Sequence, residues 1–174
     1  MRRVSLNARL AQDAQSTSEI YVALFHIEHP SLDKPVLLST DNTERLQDDP
    51  LMYGTRSTWM GVNPITDPYL FVLASANVPS DIDDAATEMS FVLENVDNDI
   101  AKLLRSFTDF ATVSIAVVLA GSPNFIEAEW QGLKLMSAQI NAGEVTLSAS
   151  RQPIEDEKVP SGRMTKNRFP GVHR

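Results

Sequence analysis

Cysteine is missing from all 174 positions. Its absence removes disulfides, thiolate metal sites, iron–sulfur clusters and a cysteine nucleophile in one step. A chain without it suits a reducing compartment or an assembly. Long apolar runs are missing too, since no stretch approaches the roughly 18 consecutive apolar residues of a membrane-spanning helix. Positive charge is scarce: 15 Lys and Arg stand against 23 Asp and Glu, for a net charge of −8. A resident nucleic-acid partner is therefore not expected, because binding one needs a basic face that displaces counterions. The opening Met1-Arg2-Arg3-Val4-Ser5-Leu6 has the charge of a secretory leader without its apolar middle. The expectation is a protein with no membrane anchor, acting where it is made or assembled.

What is present is an ordinary core-forming composition. Hydrophobic residues make up 43 % and charged residues 22 % of the chain, which argues against wholesale disorder. A chain of this length buries about 70 % of its unfolded surface, enough for one domain without staples. The charge is uneven. From Arg151 onward six Lys and Arg (Arg151, Lys158, Arg163, Lys166, Arg168, Arg174) face three acids, so this segment is +3 and residues 1–150 carry −11. The same segment holds Pro153, Pro160, Gly162, Pro170 and Gly171 and has neither helical nor alternating period. It reads as an extended basic arm with Phe169 as its anchor.

Along the chain, residues 1–18 read as an N-terminal helix and extension. Ser5 is a cap and Leu6 and Leu10 lie four apart. That apolar face is thin, so the helix is expected to pack on another chain or to fray. Glu19 to His29 alternates with both faces mostly apolar, predicting a strand covered on both sides or lying at an interface. A turn at Pro30-Ser31-Leu32-Asp33 leads to a strand over Pro35 to Thr40, and Asp41-Asn42 turns again. Glu44 to Pro68 reads as a long loop carrying Trp59 and Met60, either as contact residues or with Trp59 tucked beneath the loop. Tyr69 to Ala74 is a short strand, and Pro79 to Ala86 an acidic connection. Met89, Phe91 and Leu93 share one strand face. Ile100, Leu103, Leu104 and Phe107 predict a helix over 97–107. Val113, Ile115, Val117 and Leu119 form another strand face. From Phe125 the parity shifts between Trp130 and Leu133, so Gly132 marks a bulge. Val145, Leu147 and Ala149 close a final hairpin. The sum is a mainly β, α+β domain over 19–150: an antiparallel β-sandwich or split β-barrel with one flanking helix.

Chemistry is sparse. His26 and His29 fall on opposite faces of an extended strand and do not chelate one metal there; His173 stands alone. Asn95, Asp97 and Asp99 lack the glycine and distal glutamate of a calcium loop and read as a helix start. Asp81, Asp83 and Asp84 read as a solvated loop. Glu127 and Glu129 alternate with Ile126, Ala128 and Trp130, so both are expected at the surface rather than as a catalytic pair. No phosphate loop or serine elbow occurs. The chain is read as a non-enzyme without metal or cofactor.

Three segments taken together resemble a known family. They are Leu93-Glu94-Asn95-Val96-Asp97-Asn98-Asp99-Ile100 with Leu103-Leu104-Arg105, the strand ending Val117-Val118-Leu119-Ala120, and Arg168-Phe169-Pro170-Gly171-Val172. In that order they are similar to small minor tail proteins of long, non-contractile-tailed phages and prophages, over roughly Glu19 to Val172. The resemblance implies a tail-tube-like β-barrel and a structural part of the virion's tail tip, assembled in the bacterial host cytoplasm. It implies a ring of copies, often sixfold, contacting the tail tube, tail-tip hub and tape measure proteins, with phage DNA only in transit. The contact residues expected on this reading are Trp59, Met60, Arg151, Lys158, Arg163, Lys166, Arg168, Phe169 and Pro170. Two alternatives belong to other classes. One is a receptor- or carbohydrate-binding sandwich presenting Tyr53, Trp59 and Trp130. The other is a tail-associated hydrolase using His26 or the Glu127/Glu129 pair.

Overall fold

The computed structural model describes residues 4–77, 88–94, 110–141, 144–150 and 171. The helix expected over 97–107, the acidic connection at 79–86 and the basic segment from Arg151 to Pro170 lie outside these residues. Among the described residues one helix, α1 (Leu6–Asp13), is followed by β1 (Tyr21–Glu28), β2 (Val36–Ser39), β3 (Glu44–Asp48), β4 (Leu51–Thr55), a 3-10 turn at Trp59–Gly61, β5 (Tyr69–Phe71) and β6 (Leu73–Asn77). Then come β7 (Glu88–Glu94), β8 (Thr112–Leu119), β9 (Ser122–Ile140) and β10 (Glu144–Ser150). The fold is mainly β, as the alternation of the sequence requires.

All ten strands belong to one sheet, in the order β3-β4-β5-β2-β1-β8-β9-β10-β7-β6. Every pairing is antiparallel except β2 with β5, where Leu38 lies opposite Leu70 and Ser39 opposite Phe71. The sheet is therefore mixed rather than wholly antiparallel, and it is one sheet rather than two stacked ones. It is also strongly curled. The Phe25 ring on β1 stacks on Phe91 of β7 with centroids 5.3 Å apart. Four strand spacings separate these two strands in the order, which in a flat sheet would put them about 19 Å apart.

The curl closes through the chain itself. β5 and β6 are parted only by Val72, whose N–H donates to the Ser39 carbonyl at 2.8 Å. The first half of this kinked strand pairs with β2 and the second half with β7. The two ends of the run from β2 to β7 are thus joined by one stretch of backbone, giving a split barrel. Its interior is filled from every side. Phe25 and Ile27, Leu38, Val72, Met89, Phe91 and Leu93, Val113 and Ile115, Leu133 and Leu135, and Val145, Leu147 and Ala149 are all buried in one cluster. Alternation delivers these positions, since inward side chains recur every second residue. On β9 the alternation changes phase where Val113 lies opposite Leu133 but Ile115 lies opposite Trp130. Gly132 sits at this bulge with φ +70°, a left-handed conformation that glycine adopts without cost.

A second cluster lies on the outer face of the same strands. Val22 and Leu24 of β1, Leu37 of β2, and Ala116 and Val118 of β8 pack under Trp59 and Tyr69. The double-sided apolar pattern of β1 is thereby explained within one chain. The segment expected as a loop over 44–68 supplies the cover, and it contains two further strands, β3 and β4, before the Trp59 turn.

Candidate functional site

Trp59 is held by its own loop. Ser57 Oγ donates to the Pro123 carbonyl at 2.7 Å, and the Thr58 N–H donates to Asn124 Oδ1 at 2.8 Å. The Tyr69 hydroxyl donates to the Trp59 carbonyl at 3.1 Å. Burial pushes the Tyr69 phenol above its ordinary value, so it is a permanent donor in this contact. Packed T-shaped with the His26 ring at 6.2 Å and tilted against the Tyr69 ring at 6.1 Å, Trp59 is only 5 % exposed. It therefore offers no surface to a partner: of the two placements open for it in the sequence, the tucked one is observed. Met60 beside it is exposed, and its φ of 57° is left-handed for a residue with a side chain. That conformation costs about 1–2 kcal/mol. The remaining expected contact residues, Arg151, Lys158, Arg163, Lys166, Arg168, Phe169 and Pro170, lie outside the described residues, as does His173.

The groups that a hydrolase would use are placed apart in role. His26 is buried against Trp59, with Nδ1 3.5 Å from Glu28 Oε1. Burial lowers its pKa below the imidazole's ordinary value, and the Glu28 carboxylate opposes this only in part. His29 is also buried, its Nδ1 hydrogen-bonded to Ser31 Oγ and accepting from the Ser31 N–H at 3.1 Å. Glu127 corrects the surface expectation, being 5 % exposed. Its Oε2 accepts the Ser5 N–H at 2.7 Å, across 122 positions of sequence. Ser5 also caps α1 through its Oγ, which accepts the Ala8 N–H at 3.1 Å. The carboxylate thus sits at the positive end of the helix dipole. Its neighbour Glu129 stays exposed and accepts from the Gln131 amide at 2.9 Å. The two glutamates do not form a cleft pair. The aromatic platform of a carbohydrate binder is likewise not assembled, since Trp59 is buried and Tyr53 and Trp130 are half-buried.

What the fold does present are two features at opposite ends of the barrel. At the end where β1 begins, α1 crosses from β9 to β1, fixed by the Ser5–Glu127 bond and by Gln12 Nε2 donating to the Tyr21 hydroxyl at 3.0 Å. Its small Ala8 faces inward, while Leu6 and Leu10 are 71 % and 60 % exposed. Ile20, Tyr21 and Phe125 are exposed on the adjoining strand ends. At the other end, where β1 stops opposite the start of β8, an open groove of about 420 Å³ lies between the β1–β2 turn and Thr112. Glu28, Pro30, Leu32, Asp33 and Pro35 line it. Lys34 also borders it, and its charge is met by Asp67 Oδ1 at 2.6 Å. That lysine and Thr66 hold the Asp67 carboxyl below the usual carboxylate range. The groove was not readable from the sequence, where Pro30 to Asp33 is an ordinary turn. It exists only because Thr112 comes to lie opposite Glu28.

No cluster of three or more His, Asp or Glu suited to a metal occurs among the described residues. Set against protein-family models and against curated proteins, the chain matches none.

Proposed function

We propose that this protein is a structural subunit that assembles with its own copies, of the kind found at the tail tip of long, non-contractile-tailed phages. The observation that carries the reading is the helix α1, which turns Ala8 inward and two leucines outward on a domain whose core is otherwise filled. Exposed leucine pairs beside exposed Ile20, Tyr21 and Phe125 form the apolar surface of an interaction site rather than scattered surface residues. The charge division supports the same reading. A −11 body and a +3 terminal segment attract one another between copies. The resemblance to minor tail proteins supplies the setting: a ring continuing the tail tube toward the hub, with DNA passing through it.

Native mass spectrometry and negative-stain microscopy of the full chain, alone and with a tail-tube protein, test the proposal. A defined multimer, or a complex capping tube ends, is expected. A monomer under every condition, alone and mixed, overturns it. Removal of 151–174 is expected to weaken the assembly with a salt dependence typical of charge attraction.

A further inference from the structure

We infer that copies join head to tail, with the α1 knob of one copy, Leu6, Leu10 and Arg9, seated in the groove of the next between Glu28, Leu32 and Asp33. This inference rests on the assembly reading and names its contact. Geometry comes first. α1 is bound at the Tyr21 end of β1 and the groove opens at its Glu28 end. Seven residue steps of strand, about 24 Å, separate them. A knob and a socket on opposite ends of one rigid barrel do not meet within a chain. Between chains they generate a heterologous contact that repeats from copy to copy.

Chemistry selects the occupant. Residues 1–12 contain Arg2, Arg3 and Arg9 and no acid, so this stretch is basic within an otherwise acidic body. The groove offers the reverse charge through Glu28 and Asp33, because Lys34 is already met by Asp67. Its floor and walls include Pro30, Leu32 and Pro35, apolar surfaces that accept the two leucines. Apolar anchors with charges at the rim form the usual division of labour at an interface, the anchors giving affinity and the charges orientation. Glu127 holds the knob in its outward-facing pose, so little ordering is needed on binding.

The experiment uses the full chain and four variants. A knob variant carries Leu6→Gln and Leu10→Gln, and a socket variant carries Glu28→Lys and Asp33→Lys. All four side chains are exposed, so unchanged circular dichroism and melting are expected for each. Light scattering should show self-association weakened about 30-fold or more in either variant, the effect of removing a hot spot. Mixed in equal amounts, the two variants retain one working knob and one working socket. They should form a complex of two chains and no larger. The third variant, Arg9→Glu, should weaken association and recover it when combined with Glu28→Lys. Assembly unchanged in the knob and socket variants overturns the inference. If that unchanged assembly vanishes on deleting 151–174, the assembly reading survives without this contact. A wild-type chain that stays monomeric overturns both.

Discussion

His26 is a buried imidazole between a tryptophan and a solvent-exposed glutamate, and its chemistry sets a pH limit on the fold. Desolvation keeps its folded-state pKa below the ordinary 6.5. The unfolded chain therefore binds a proton at a pH where the folded chain does not. Stability contributed by the neutral ring is present above about pH 6.5 and is lost as pH falls through the unfolded value. Glu28 opposes this but does not reverse it. The expected outcome is a melting temperature that drops between pH 7 and pH 5, and a drop that shrinks in His26→Phe. Thermal melts of both proteins across that range check it, and equal slopes would remove His26 as the cause. At the same scale Gly54 explains a constraint no pattern announces. A Cβ there would lie 1.9 Å from the Tyr69 carbonyl oxygen, so β4 and β5 meet through a residue that must lack a side chain.

At the scale of elements, the strands were legible where one face is buried and the helix where a cap is present. Ser5 and the Leu6/Leu10 spacing located α1, and its outward leucines accord with a helix whose apolar face is not spent on its own fold. The inward positions of β7 and β10, Val113 and Ile115 of β8, and the bulge at Gly132 follow from alternation. Val117, expected on the same face of β8, is only half-buried and belongs to neither cluster, because the register with β9 shifts there. β3 and β4 did not announce themselves. Glu-Arg-Leu-Gln-Asp is an edge strand whose side chains are exposed or half-buried, and a charged, bulged edge is what protects a sheet end. Such a strand carries no periodic signal. Glu127 was misplaced for a related reason: nothing local reveals a partner 122 positions away. That contact yields its own prediction. A hydrogen bond to a buried carboxylate is worth about 1.5–3 kcal/mol, so Glu127→Ala should release α1 and raise the rate of tryptic cleavage after Arg9 by about tenfold or more. Glu127→Gln keeps an acceptor and should be cut more slowly than Glu127→Ala. Equal cleavage of wild type and Glu127→Ala would show that Ala8 packing alone holds the helix.

For the whole molecule, two apolar clusters share the strands β1, β2 and β8, one on each face. Neither cluster persists if those strands separate, so the described body should unfold as one unit. Indole fluorescence, which follows Trp59 in the outer cluster and the half-buried Trp130, and far-ultraviolet circular dichroism, which follows the sheet, should give coincident melting curves. Two resolved transitions would mean that the Trp59 loop detaches before the barrel opens.

The kinked strand through Val72 has a consequence for how such a body can vary. Where two strand edges close a cylinder by hydrogen bonds alone, the seam can slide by two residues and keep its pleat. Here the seam is a single peptide segment, stitched to β2 before Val72 and to β7 after it. Losing or gaining one residue at that stitch would invert the pleat of everything beyond it, turning Ala74 away from the interior cluster it now packs against. The girth of the cylinder is written into the length of one short segment. Every molecule of this chain is therefore made to the same gauge.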